Sequence, residues 1–330
     1  MFQINKSKES VGILLANTGT PDNPNPSAIK RYLREFLLDK RIIKIPRFIW
    51  LPILFLFILN IRPYKKTQDY KKIWTEEGSP LLVISNRLLK LIKKQEKNKN
   101  FLFSIAMRYG NPSIKSQLSM FKEKELKKVI IFPMFPQYSF STTESIRDKV
   151  CETLHDLKWN PKLIFIEDYY KEKIFIKAIA NNIRINWKKR GRSQFLIFTY
   201  HGLPQKYVDQ GDPYYLSCIN TTKLIAQDLS LLESEFITSF HSKFGFGEWT
   251  KPYTEDLLSE MPNNGIKNIS IISPTFSIDC LETLEEINIQ FREEFINAGG
   301  SKFNYIPCLN DSKDQVRLIQ HLIDKNLYNN

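Results

Sequence analysis

Cysteine is scarce in this chain. Four residues in 330 (Cys151, Cys218, Cys280 and Cys308) contain no C-x-x-C pair, and such spacing supports neither a zinc site nor an iron–sulfur cluster. No Gly-x-Gly-x-x-Gly and no Gly-Lys-Ser/Thr occurs, so neither a dinucleotide fingerprint nor a Walker loop is written here. The longest apolar run, 48–59, has twelve residues, short of the about 20 a membrane-crossing helix needs. Residues 1–10 are polar and charged, and 11–15 is too short for the apolar region of a signal peptide, so a cytoplasmic protein with reduced thiols is expected. The net charge of +13 comes from lysines scattered without aromatic interleaving, and no nucleic-acid partner is expected. A solvated basic surface and a preference for anionic ligands or lipid both fit that charge. Histidine is rare too, with four residues in all.

What is present is an alternation. Apolar, β-branched runs at 11–17, 101–107, 128–132, 163–166, 194–199, 236–240, 269–272 and 303–306 predict strands. Helical patterns fall between and after them at 27–38, 80–94, 114–122, 142–157, 174–188, 221–229, 280–298 and 313–326. Strands separated by helices of ten or more residues predict an α/β protein built from parallel βαβ units. The halves echo each other. Ile130-Ile131-Phe132-Pro133 runs on to Thr142, and Ile271-Ile272-Ser273-Pro274 runs on over the same interval to Thr283. Two similar α/β domains facing one cleft, or chance likeness between βα units, both account for this.

Chemistry concentrates at two predicted strand ends, where open α/β sheets bind ligands. His201 follows the strand at 194–199, and Gly202-Leu203-Pro204 turns the backbone so that its imidazole can face a cleft. Asp279, Glu282 and Glu286 recur at i, i+3 and i+7, one face of a helix, where crowded carboxylates raise at least one pKa and can pass protons or hold a cation. Glu285 is expected at the surface or in a salt bridge. Trp249, in a loop with Gly245 and Gly247, could cover a planar ligand or simply pack. Tyr138 and Ser139, before the helix at 142–157, could bond an anionic group or cap the helix. The 48–59 run, with Arg47 before it and Arg62 after, reads either as a core helix or as an apolar lip resting on anionic lipid.

Taken together, these segments resemble the ferrochelatase family. The resemblance is carried by Leu15-Ala16-Asn17-Thr18-Gly19-Thr20-Pro21, Gly78-Ser79-Pro80-Leu81, Met107-Arg108-Tyr109-Gly110, Pro136-Gln137-Tyr138-Ser139, His201-Gly202-Leu203-Pro204, Gly211-Asp212-Pro213-Tyr214 and Asp279-Cys280-Leu281-Glu282-Thr283-Leu284. It implies two Rossmann-like, chelatase-type domains, 1–160 with a returning 311–330 and 161–310, and a porphyrin cleft between them. It implies insertion of Fe²⁺ into protoporphyrin IX, with His201 and Glu282 as catalytic and metal-contacting residues and Asp279 and Glu286 along an acidic path. Thr18, Arg108, Tyr109, Tyr138, Ser139 and Trp249 would contact the porphyrin, and 48–59 would rest against the inner face of the cytoplasmic membrane. His241 stands where relatives usually carry glutamine, and Gln290 where some carry an acid. The chain lacks the cysteine-bearing tail of the mitochondrial enzymes, so no cluster and no prosthetic group are expected. A chelatase for coproporphyrin or another divalent metal, and a non-catalytic porphyrin carrier, are the competing readings.

Overall fold

The computed structural model describes residues 10–96, 100–245 and 247–328. Residues 1–9, Lys97 and Lys99, which entered the expectations about a signal peptide and a basic surface, lie outside the described residues, as does Phe246. Strand β1 (Val11–Thr20) is apolar and buried along nearly its whole length, as a central strand covered on both faces must be. Helix α1 (Pro26–Leu37) starts where Asn25 accepts the Ala28 N–H at 2.9 Å and Pro26 takes the first helical position. Ile29, Leu33 and Leu37, one turn apart, bury its inner stripe. A continuous helix follows, made of α2 (Arg47–Ile53), a π turn (Leu54–Ile58) and α3 (Leu59–Ile73). Then come α4 (Pro80–Gln95), β2 (Phe101–Gly110), α5 (Ile114–Glu123), β3 (Lys128–Pro133), α6 (Thr143–Asp156) and β4 (Lys162–Phe165).

The second half repeats the scheme. It runs through α7 (Lys173–Arg190), β5 (Phe195–His201), α8 (Gln205–Asp209), α9 (Tyr214–Asp228), β6 (Phe236–His241), α10 (Thr254–Glu260) and β7 (Asn268–Ile272). A π-helix (Glu282–Gln290) continues into α11 (Phe291–Asn297), followed by β8 (Lys302–Tyr305) and α12 (Lys313–Tyr328). All strands are parallel, in the orders β2-β1-β3-β4 and β6-β5-β7-β8. The two sheets thus share one permutation, which turns the echo between the halves into a shared topology. In each, the loops leaving the first and third strands diverge and open a crevice at their carboxyl ends. Those ends are Thr18–Thr20 and Met134 in one sheet, and His201 and Ser273 in the other. One apolar cluster, from Ile13 and Phe132 to Phe198 and Ile272, joins the halves, and α12 packs on both α4 and α7.

Three local expectations are corrected. His201 is the last residue of β5 rather than a residue beyond it, because it still pairs with His241 across the sheet. Helix α9 begins at Tyr214, two turns ahead of the predicted 221, with Tyr214, Ser217, Cys218, Thr221 and Ile225 on its buried side. The predicted helix at 280–298 is wound i→i+5 over Glu282–Gln290, a geometry that apolar periodicity does not announce.

Candidate active site

Both crevices open into one cavity of about 980 Å³, lined from the two halves. Its floor is made by glycines that permit close approach. At Gly19 (φ +119°) a side chain would run into the Tyr109 carbonyl, and at Gly202 it would press on the His241 carbonyl and Trp249. The Gly202 N–H donates to the His241 carbonyl at 2.8 Å, fixing the turn after His201.

The imidazole of His201 lines the cavity and is only partly buried. Its Nδ1 lies 2.8 Å from the Gly202 carbonyl, which can only accept, so Nδ1 carries the hydrogen and Nε2 keeps its lone pair. Behind it stands His241, with ring centroids 5.8 Å apart. His241 is fully buried, its Nδ1 is 2.8 Å from Thr199 Oγ1, and burial, then the neighbouring His201, push its pKa well below the usual imidazole range. It therefore adds no positive charge beside His201.

Glu282 and Glu286 both line the cavity, one wide turn apart on the π-helix. Glu282 faces neutral groups: the Tyr32 and Tyr70 phenols and the Cys280 thiol are all held well above their ordinary pKa, chiefly by burial, and Glu282 raises each further. Burial also lifts Glu286 to about 7; Ser242 Oγ, donating at 2.5 Å, works against that rise, and the negative charge of Glu282 adds to it. A carboxyl with that pKa is poised to take and release protons near neutrality.

A stability test follows from Glu286. Its folded pKa lies above its unfolded one, so its contribution to stability is present in full below the unfolded pKa and is lost as pH rises through about 7. Glu286→Gln removes that titration. Its melting temperature relative to wild type is expected to be higher at pH 8.5 than at pH 5.5, with at most about 3 kcal/mol at stake. A difference that does not change with pH would contradict it.

Asp279 is not brought into the cavity. It precedes the π-helix, and its carboxylate is filled by Tyr305 Oη at 2.5 Å, Asn310 Nδ2 at 2.7 Å, Thr283 Oγ1 at 3.1 Å and the Cys308 N–H at 3.2 Å. It anchors the segment that presents Glu282. Glu285 is buried rather than at the surface, in a salt bridge with Lys72 at 2.7 Å, and Gln290 Nε2 donates to it at 2.5 Å. Thr18, Arg108, Tyr109, Ser139 and Trp249 all line the cavity. Arg108 and Tyr109 have their polar atoms committed to Asp39, at 2.5 and 2.7 Å. Ser139 bonds Asp212 at 2.8 Å. Tyr138 turns away, donating to Glu144 at 2.7 Å in a separate hollow. The Trp249 loop is fastened beside 203–205, with the Thr250 N–H donating to the Leu203 carbonyl at 2.9 Å.

Sequence reasoning missed Tyr32, Tyr70, Ser242 and Arg62 as cavity residues. Arg62 alone gave a signal, as the first cation after the apolar run. That run forms the two-sided helix Arg47–Ile73. Trp50, Leu54 and Leu59 are buried against α1, while Phe48 (79% exposed), Leu56 and Phe57 face outward. One side of the stretch is thus packed as a core helix is, and the other leaves an apolar face exposed.

A family model described as Ferrochelatase matches residues 10–327. The chain is 43% identical over 324 residues to a ferrochelatase of Marinomonas sp. (strain MWYL1), covering 97% of this chain and 98% of that one. It is 45% identical over 322 residues to a ferrochelatase of Wigglesworthia glossinidia brevipalpis, covering 97% and 99%. Among solved structures its fold is similar to that of SirB from Bacillus subtilis with Fe3+, at a TM-score of 0.58 and 10% identity over 97% of this chain and 96% of that one.

Proposed function

This chain belongs to the ferrochelatase family, an enzyme family that inserts Fe²⁺ into protoporphyrin IX to form protohaem, and on that premise we propose how its residues do so. Two pyrrole protons leave as Fe²⁺ enters. The Nε2 lone pair of His201 accepts a proton from the macrocycle, and Glu282, presented after the neighbouring strand of the same sheet, takes the other or hands in the cation. Glu286, poised near neutrality, relays what Glu282 receives. The observation that carries this reading is the placement of an imidazole whose Nδ1 is tied to the Gly202 carbonyl and of a carboxylate pair in one cavity, from two different strand ends. The slot bends the ring so that pyrrole lone pairs leave its plane, a distortion drawn from binding energy and resembling the transition state. Thr18, Ser139 and Trp249 contact the macrocycle, while Arg108 and Tyr109 shape its wall through Asp39.

We assign 1–160 with 311–330 to the first unit and 161–310 to the second; the matching strand orders of the two sheets support two units, and α12 bridges them by packing on both α4 and α7. Anaerobic incubation with protoporphyrin IX and Fe²⁺, following loss of free-base fluorescence and growth of the haem spectrum, tests the reaction. Multiple turnovers are expected, faster than with coproporphyrin III. Stoichiometric binding without metalation would sink the proposal.

The outward face of Arg47–Ile73 rests on the bilayer as a peripheral contact at the inner face of the cytoplasmic membrane. Its exposed Phe48, Leu56, Phe57 and Ile61, with cations at both ends, support this. Co-sedimentation with vesicles containing phosphatidylglycerol is expected, and loss of it in a Phe48→Asp, Phe57→Asp variant. Equal binding by that variant would rule the face out.

A further inference from the structure

Glu285 stands between Glu282 and Glu286 on the π-helix, and the proton transfers leave it unused. Its side chain is only 2% exposed, and each of its oxygens is held. Oε1 accepts from Lys72 Nζ at 2.7 Å, and Oε2 accepts from Gln290 Nε2 at 2.5 Å. Lys72 lies in the last turn of α3, in the other half of the chain, with its side chain about half in water. The hydrogen bond to Glu285, more than any other influence, raises the Lys72 pKa and keeps the amine charged.

The two contacts act differently. Gln290 lies five residues beyond Glu285, whereas side chains on an α-helix meet at three and four. A bond at five closes across one turn of i→i+5 winding, so it favours the π geometry over the α. Lys72 supplies the opposite charge that a buried carboxylate requires, and it ties this turn to α3, which packs against the π-helix. Glu282 precedes Glu285 and Glu286 follows it directly, so whatever fixes Glu285 fixes the rotation of both. We infer that Lys72 and Gln290 brace Glu285, and that this brace holds the π turn in the rotation that presents Glu282 and Glu286 to the cavity. Lys72 and Glu285 are thus positioning residues for metal insertion, acting through Glu282. This rests on the reading of Glu282 as the group that handles a proton or the cation.

The test measures anaerobic Fe²⁺ insertion into protoporphyrin IX by wild type, Lys72→Met, Lys72→Arg and the double variant Lys72→Met, Glu285→Gln, at a temperature where all are folded. Lys72→Met leaves a buried carboxylate without its counter-charge and frees the turn. Its kcat should fall about 10–10²-fold while KM for protoporphyrin stays near the wild-type value. Lys72→Arg keeps the charge and should retain most of kcat. The double variant replaces the stranded carboxylate with an amide that can still bond Gln290, so it should recover most of the loss. A role in stability alone would lower the melting temperature and leave kcat of the folded protein unmoved. Should Lys72→Met fail to fold, Lys72→Gln gives the same comparison. Unchanged kcat in Lys72→Met, or a loss that the double variant does not recover, overturns the inference. So does a rise in KM with kcat intact, which assigns Lys72 to porphyrin binding. Glu282→Gln, run alongside, reports on the premise separately: near-normal kcat there overturns the role of Glu282, and the inference with it.

Discussion

Replacing Glu282 with glutamine should abolish turnover while porphyrin still binds. The amide keeps the size of the carboxylate and can still accept a hydrogen bond, so the cavity wall is preserved. What it loses is negative charge and the capacity to hold a proton. No neighbour can substitute, because Tyr32, Tyr70 and Cys280 are all held in their protonated forms by burial. Glu286 lies a turn further on and is half protonated near neutrality, which suits it to receive protons from Glu282 rather than to replace it. Removing a positioned acid–base group costs about 10²–10⁴-fold, and a group that also handles the cation should sit at the upper end. The measurement is anaerobic kcat for Fe²⁺ insertion alongside a fluorescence titration with protoporphyrin IX. Near-normal kcat in Glu282→Gln would remove Glu282 from the mechanism.

The fold was legible in the sequence where the physics is local. β1 and β3 announce themselves as unbroken apolar runs because parallel strands are covered on both faces. The shared strand order was foreshadowed by the matched intervals from Pro133 to Thr142 and from Pro274 to Thr283. His201 could be picked out because it is one of four histidines and stands at a strand end before a Gly-x-Pro turn. Other features depend on tertiary contacts that no short window contains. The carboxylates of Asp279 and Glu282 look alike in a helical pattern. Only the fold shows that Tyr305 and Asn310, from beyond the helix, fill one of them and leave the other to the cavity. The i→i+5 winding is equally silent, since it turns on backbone hydrogen bonds. Glu285 read as either a surface acid or a salt-bridged one, and the choice could not be made from the sequence because its partner, Lys72, lies 213 positions away. Arg62 was visible only as a flanking charge, since the ring it faces, Phe244, comes from the other half of the chain.

His201→Ala should lower kcat by about 10²–10⁴-fold for every divalent metal tried, and by the same factor for each. The argument turns on what the imidazole contributes. With Nδ1 donating to the Gly202 carbonyl, one lone pair faces the cavity and can serve either as proton acceptor or as metal ligand. These roles predict different dependences on the metal. Two pyrrole protons leave whichever ion enters, so loss of the acceptor slows Fe²⁺ and Zn²⁺ insertion equally. Loss of a ligand instead scales with affinity for imidazole, which differs between the two ions. His241 cannot take over the first role, because burial behind the sheet edge keeps its imidazole from accepting charge. The measurement is the ratio of Fe²⁺ to Zn²⁺ turnover in wild type and His201→Ala, at fixed protoporphyrin and pH. A constant ratio assigns His201 the proton. A ratio that shifts against the metal with the greater imidazole affinity assigns it the cation, and moves proton acceptance wholly to Glu282 and Glu286.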